Sequence, residues 1–98
     1  MDIKRKLERS HQFKIDMRQV VSSQPRLDKV KTIVSKLSHM EPSVISRIRG
    51  GFSGQWPSSK AIYFDGDWLI IFTVGEGYLR LERVGLHLNI FGMSHSHS

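Results

Sequence analysis

The sequence predicts an α+β fold in which an N-terminal helix hairpin packs on one face of a small, mainly antiparallel twisted sheet. Two amphipathic helical segments precede three strand segments, and this order is typical of helices gathered on one side of an antiparallel sheet. The chain has 98 residues, of which 39% are hydrophobic, enough for one modest core. We expect a single domain over residues 1–92 and a polar, disordered tail over residues 93–98.

The first half of the chain predicts an edge strand and the helix hairpin. Residues 2–8 are basic and weakly alternating, as in an edge strand whose lysines discourage further pairing. Ser10 is a suitable N-cap for the first helix, and Pro25 suits the first turn of the second, which ends at Glu41-Pro42. The two apolar stripes consist of Phe13, Met17, Val20 and Val21, and of Leu27, Val30, Ile33, Val34 and Leu37.

The second half predicts three antiparallel strands. Residues 60–64 form the first, and Asp65-Gly66 predicts a type I′ turn with positive φ at both central positions. Residues 67–74 are apolar without alternation, which indicates a strand buried on both faces. After a turn at residues 75–77, the strand at residues 78–84 alternates, and this places Leu79, Leu81 and Arg83 on one face.

Two segments of this half have weaker signals. Gly85 is expected to bend the chain back after the last strand, which brings His87 and Phe91 within reach of Arg83. Residues 43–59 predict a long basic loop that contains Arg49 and Trp56. Loops of this length in compact domains are usually functional or mobile.

Composition narrows the class of function. The formal charge of +6 on a small domain favours a polyanionic partner, such as nucleic acid, a ribosomal surface or an acidic protein. There is no cysteine, which excludes disulfides, thiol catalysis and zinc–thiolate sites. We expect no signal peptide, because the N-terminus is charged, and no membrane helix, because no apolar run approaches about 20 residues.

Three segments carry a resemblance to a known family. They are Ser53-Gly54-Gln55-Trp56, the Asp67-Trp68 pair with the apolar strand that follows it, and Leu81-Glu82-Arg83-Val84-Gly85-Leu86-His87-Leu88-Asn89-Ile90-Phe91. With the order of elements, they resemble YafQ-type toxins of the RelE/ParE superfamily, most sharply over residues 47–92. Over the N-terminal half the resemblance rests on element order and charge.

The resemblance implies a RelE-like fold and the toxin half of a bacterial type II toxin–antitoxin pair. Such toxins enter the ribosomal A site and cut mRNA without a metal or other cofactor. The 2′-OH attacks the adjacent phosphate, which leaves a 2′,3′-cyclic phosphate and a free 5′-OH. The implied partners are the ribosome, mRNA and an acidic, DinJ- or RelB-like antitoxin, through which alone operator DNA is bound. The implied location is the cytoplasm, with no membrane partner.

The same resemblance assigns roles to residues that suit this chemistry. The reaction needs a base, a cation for the phosphorane charge and an acid for the leaving oxygen. His87 is the candidate acid, since imidazole exchanges protons near neutral pH, and Arg83 is the candidate phosphate ligand, since guanidinium grips phosphate bidentately. Asp67 corresponds to a base or orienting carboxylate. The candidate substrate-binding residues are Lys60, Tyr63, Phe91 and Arg49.

Each assignment has a structural alternative. His87 could be a surface histidine, Arg83 could pair with Glu82 or Asp67, and Asp67 could merely close the turn. Phe91 could belong to the core, and Trp56 and Trp68 are expected to be structural. The histidines of the tail, His95 and His97, are read as part of a disordered segment and not as a metal site.

The chain departs from the family pattern at three positions. Gly50 stands where the family commonly has a histidine before the Gly-x-Trp loop, and Tyr63 stands where it has another. Ala61 replaces an acidic residue. Three functions therefore remain open: a ribosome-dependent endonuclease, a weakened or non-enzymatic toxin of the same fold that inhibits a protein such as gyrase, and a basic RNA-binding module.

Overall fold

The computed structural model describes residues 3–50 and 58–92, which form a four-stranded sheet with helices on its faces. The elements are β1 (Lys6–Arg9), α1 (His11–Val20), α2 (Gln24–His39), α3 (Pro42–Ile45), β2 (Lys60–Asp65), β3 (Trp68–Gly75), β4 (Tyr78–Leu86) and α4 (His87–Phe91). The strand order is β1-β4-β3-β2. Among the strand pairs of the described residues, only β1–β4 is parallel. The predicted α+β class and helix placement are confirmed.

Both long helices begin where the sequence predicts. Ser10 caps α1, with its hydroxyl accepting a hydrogen bond from the Phe13 backbone N–H at 2.9 Å. Ser23 caps α2 and Pro25 lies in its first turn. Carbonyl groups at the C-terminal end of α2 accept hydrogen bonds from a residue that is distant in sequence. The buried Arg5 donates from Nη1 to the carbonyls of Leu37 and Met40, at 3.0 and 2.7 Å. This contact fixes the segment before β1 against the last turn of α2.

The helix-facing core is built from alternate residues of the strands. Ile70 and Phe72 of β3 pack with the apolar stripes of α1 and α2, as do three residues of β4: Leu79, Leu81 and Val84. The intervening residues Leu69 and Ile71 belong to a second cluster with Ala61 and Ile90 on the opposite face. We call this opposite side the open face. Strand β3 is therefore buried on both sides, as predicted, but of its central residues only Ile70 and Phe72 belong to the described cluster with α1 and α2.

A bulge in β4 corrects the predicted alternation. The register with β3 pairs Phe72 with Leu81 and Ile71 with Arg83, so one extra residue, Glu82, is inserted in β4. After the bulge Val84 points into the helix-facing core, while Arg83 lies opposite Ile71 on the open face. The expectation that Leu81 and Arg83 share a face is wrong for this reason.

The turns and connections also differ in detail. In the turn between β2 and β3 only Gly66 has positive φ, at 61°, so the predicted type I′ turn is not formed. The turn at residues 75–77 is confirmed, with Gly77 at φ 82°. The predicted bend at Gly85 is wrong, since Gly85 pairs with Leu69 inside β4, which continues to Leu86.

The segment predicted as a long loop is partly structured. Pro42–Ile45 forms the short helix α3, and Gly50 makes an isolated antiparallel bridge with Lys60 at the outer edge of β2. The loop residues Ser53 to Trp56 and the tail residues 93–98 lie outside the described residues. Among the helices of residues 3–50 and 58–92, none combines the length and apolar character needed to cross a bilayer.

The helix-facing core gives a first prediction. Replacing the fully buried Ile70 with alanine should lower the free energy of unfolding by about 2–5 kcal/mol, because burial is lost and a cavity remains. The measurement is the urea unfolding midpoint. The control is Ile15→Ala on the exposed side of α1, expected to change stability by less than about 0.5 kcal/mol. An unchanged midpoint for Ile70→Ala would contradict this core.

Candidate active site

His87 lies at the junction between β4 and α4. Its backbone N–H donates to the Asp67 carbonyl at 2.9 Å, which extends the β3–β4 ladder one step beyond the Trp68–Leu86 pair. The sheet therefore fixes the first residue of α4. Because α4 starts here, Phe91 follows one helical turn later on the same side, and the two rings lie 4.8 Å apart, centroid to centroid.

Tyr63 reaches His87 from the neighbouring strand. Tyr63 pairs with Leu69, which places its side chain on the open face, and the Tyr63 hydroxyl lies 2.7 Å from His87 Nδ1. The two rings are stacked with an interplanar angle of 20°. Either atom can be the donor, depending on the imidazole tautomer. The hydroxyl therefore couples the orientation and tautomer of His87 to β2.

Arg83 lies on the same face but has a partner that the sequence did not suggest. Its Nε and Nη2 donate to the two carboxylate oxygens of Asp16 in α1, at 2.7 and 3.2 Å. Asp16 also accepts from the Val84 backbone N–H at 3.1 Å. The proposed pairing with Glu82 or Asp67 is not formed. Glu82 instead accepts from Thr73 at 2.9 Å and from Arg80 at 3.3 Å.

A signal for Asp16 was present in the sequence. Asp16 lies three residues after Phe13 and four before Val20, inside the apolar stripe of α1. A carboxylate on the buried side of a helix requires a cation or several hydrogen-bond donors. The pattern therefore indicates a partner, although it does not identify Arg83.

Asp67 is placed beside His87 through its backbone. Its carbonyl accepts the His87 N–H, and its side chain is exposed in the turn before β3. The neighbouring carboxylate of Asp65 forms ion pairs with Arg26, at 3.8 Å, and with Lys29, at 3.5 Å. Arg26 also lies over the Trp68 ring, 4.1 Å from its centroid, which supports the structural reading of Trp68.

The structure separates the two remaining basic candidates. Lys60 pairs with Phe72, whose side chain is in the helix-facing core, and its Nζ donates to the Ile48 carbonyl at 3.1 Å. It therefore lies on the face opposite Tyr63, and the expectation that it is near the site is wrong. Arg49 accepts from the Ala61 N–H through its carbonyl, and the bridge register places it opposite Ala61, beside the open face.

The described residues therefore bring His87, Tyr63 and Phe91 into direct contact, with Asp67 adjacent and Arg83 on the same face. Over residues 3–50 and 58–92, no three His, Cys, Asp or Glu side chains are grouped so that they could hold a metal ion. The arrangement offers an imidazole, a guanidinium, a carboxylate and the aromatic rings of Tyr63 and Phe91. These groups are suited to binding and protonating a phosphodiester.

A family model described as the bacterial toxin of type II toxin–antitoxin system, YafQ, matches residues 5–92, and the chain belongs to this family. The chain is 25% identical to the mRNA interferase toxin YafQ of Escherichia coli strain K12, over 92% of this chain and 99% of that protein.

Solved structures show the same fold. The crystal structure of YafQ from E. coli strain BL21(DE3) matches with a TM-score of 0.73 at 22% identity, covering 91% of this chain and all of that one. The E. coli DinJ–YafQ toxin–antitoxin complex matches with a TM-score of 0.73 at 24% identity, covering 92% of this chain and all of the matched chain. The predicted membership of the YafQ-type toxins is confirmed.

The Tyr63–His87 contact gives a second prediction. Tyr63→Phe keeps the ring but removes the hydroxyl, so the nitrogen chemical shifts of the His87 imidazole should change while the fold is retained. Long-range ¹⁵N–¹H NMR correlation measures this. Tyr63 is 48% exposed, so stability should change by less than about 0.5 kcal/mol. The control is Tyr78→Phe at the far end of β4, which should leave the His87 signals unchanged.

Proposed function

We propose that this chain is a ribosome-dependent mRNA endonuclease, which cuts by attack of the ribose 2′-OH on the adjacent phosphate. The observation that carries the proposal is the 2.7 Å contact between the Tyr63 hydroxyl and His87 Nδ1, on the face that also presents Arg83. The E. coli relative named an mRNA interferase supports the same activity. The charge of +6 favours binding to RNA and to the ribosomal surface.

Each side chain then has one role in the reaction. Asp67, whose backbone carbonyl accepts the His87 N–H, is the candidate carboxylate for taking the 2′-OH proton or for orienting the ribose. Arg83 binds the non-bridging oxygens as the phosphorane charge develops. His87 gives its proton to the leaving 5′-oxygen, so the products are a 2′,3′-cyclic phosphate and a 5′-OH.

Two further residues act on binding. Phe91, packed against His87, can stack on a base next to the cut, since aromatic rings bind unpaired bases without sequence preference. Arg49, exposed beside Ala61, can bind a flanking phosphate. Lys60 has no place in this scheme, because it lies on the other face of the sheet.

We propose an acidic antitoxin of the DinJ or RelB type as the inhibitory partner in the cytoplasm. The solved complex of E. coli YafQ with DinJ supports this, as does the basic charge of the chain. Contact with operator DNA would occur only through the antitoxin.

His87→Ala should lower the rate of mRNA cleavage on programmed ribosomes by about 10²–10⁴, because a positioned acid is lost. Folding and ribosome binding should be nearly unchanged, and growth arrest on expression should be relieved. The control is His39→Ala, an exposed histidine at the end of α2. If His87→Ala cuts as fast as the parent chain, His87 is not the acid.

Removal of metal ions should not change the activity. The chain is dialysed against EDTA and then added to ribosomes in magnesium buffer, so that the chelator does not disrupt the ribosome. Cleavage at the parent rate is expected, since the proposed steps use side chains alone. A loss that zinc or another transition metal restores would contradict the metal-free reaction.

A toxin of this fold that binds its target without cutting is the second candidate. It is favoured by Gly50, Ala61 and Tyr63, which replace ionisable groups that are common in the family. Primer extension on cellular mRNA after induced expression separates the two candidates. Growth arrest with intact mRNA would support the second and contradict the first.

A further inference from the structure

The carboxylate of Asp16 is saturated with hydrogen bonds. Oδ2 accepts from Arg83 Nε and Val84 N, and Oδ1 accepts from Arg83 Nη2 and from Gln12 Nε2 at 3.1 Å. The side chain is only 10% exposed. With both oxygens occupied twice, Asp16 has little capacity left to bind a substrate. Two of its four hydrogen bonds are with Arg83, which Asp16 therefore holds in place.

The geometry of this pair determines which edge of the guanidinium is committed. Asp16 uses Nε and one hydrogen of Nη2, which is the side edge of the group. The terminal edge, formed by Nη1 and the second hydrogen of Nη2, makes no hydrogen bond within residues 3–50 and 58–92. A planar guanidinium held on one edge presents the other edge in a fixed direction.

A cleft of about 350 Å³ lies where Arg83 is held. It runs between α1 and α4, and its lining includes Gln12, Asp16, Arg83, Gly85, Asn89 and Ile90. The Arg83 side chain lines this cleft and is 19% exposed, so it is largely shielded from solvent. A phosphate oxygen bound there would contact a partly desolvated guanidinium, so the electrostatic attraction between the two would be stronger than in water.

We propose that Asp16 is a positioning residue, which holds Arg83 so that its terminal edge binds the phosphate of the RNA at the point of cleavage. The inference rests on the proposed function and adds the residue that orients the phosphate ligand. Accepting the Val84 N–H would not by itself need the charge of Asp16. A neutral amide could accept the Val84 N–H equally well, whereas the bidentate pair with Arg83 needs a carboxylate.

The test uses Asp16→Asn, which keeps the shape and one acceptor for Val84. The matched control is Asp28→Asn in α2, because Asp28 also accepts from a glutamine four residues earlier, Gln24, at 2.8 Å, but is exposed. Both variants gain the same charge, so both should bind ribosome-associated RNA at least as tightly as the parent chain. Only Asp16→Asn should lose rate, by about 10–100-fold at saturating substrate, since the arginine is no longer oriented.

The double variant distinguishes positioning from folding. If Asp16 acts through Arg83, adding Asp16→Asn to Arg83→Ala should lower the rate no further than Arg83→Ala alone. A structural role would lower the rate by the same factor in both backgrounds and would follow the folded fraction. Circular dichroism and thermal unfolding of each variant set the assay temperature below every midpoint.

The outcomes separate the two proposals. A parent chain that does not cut mRNA contradicts the proposed function and the inference with it. A parent chain that cuts, with Asp16→Asn equally fast or with additive effects in the double variant, contradicts the inference alone. A loss confined to Asp16→Asn and absent in the Arg83→Ala background supports it.

Discussion

The backbone N–H and C=O groups on the side of β4 that faces away from β3 need hydrogen-bond partners along the whole strand. Much of the structure depends on which groups supply these partners. β1 pairs only with the first four residues of β4, from Tyr78 to Leu81. Beyond them, Ser10 bonds the carbonyls of Leu81 and Glu82, and Asp16 takes the N–H of Val84. An unpaired buried backbone group costs about 1–3 kcal/mol, so α1 has to lie along this edge. The position of α1 then brings a carboxylate to Arg83.

The fold was predictable from the sequence to a large extent, because its main determinants are local. The cap at Ser10, the first-turn Pro25, the two apolar stripes and the unbroken apolar strand are periodic or positional signals that a linear reading detects. Short elements such as α3 were missed, since four residues carry too little periodicity. The bulge in β4 was also missed, because register depends on which residues of β3 lie opposite.

The sequence named the residues of the candidate site better than it predicted the contacts between them. The resemblance named His87, Arg83, Asp67, Tyr63 and Phe91, and these residues lie on or beside the open face. Lys60 was placed incorrectly because side chains alternate between the two faces along β2. Lys60 lies three residues before Tyr63, so its side chain is on the opposite, helix-facing side. The Asp16–Arg83 pair spans 67 residues, and only the three-dimensional arrangement of α1 against β4 identifies it.

The parallel pairing of β1 with β4 joins the first strand of the described chain to the last, with Leu7 opposite Leu79. During synthesis, β1, α1 and α2 therefore emerge before the strand on which they pack exists. The parts of their apolar faces that pack on β4 stay uncovered until residues 78–86 have been made, because long-range pairing has to wait for both partners. The same topology means that a nascent chain halted within β3 has neither the complete four-stranded sheet nor the carboxylate–arginine pair, and the site is completed only in the last steps of folding.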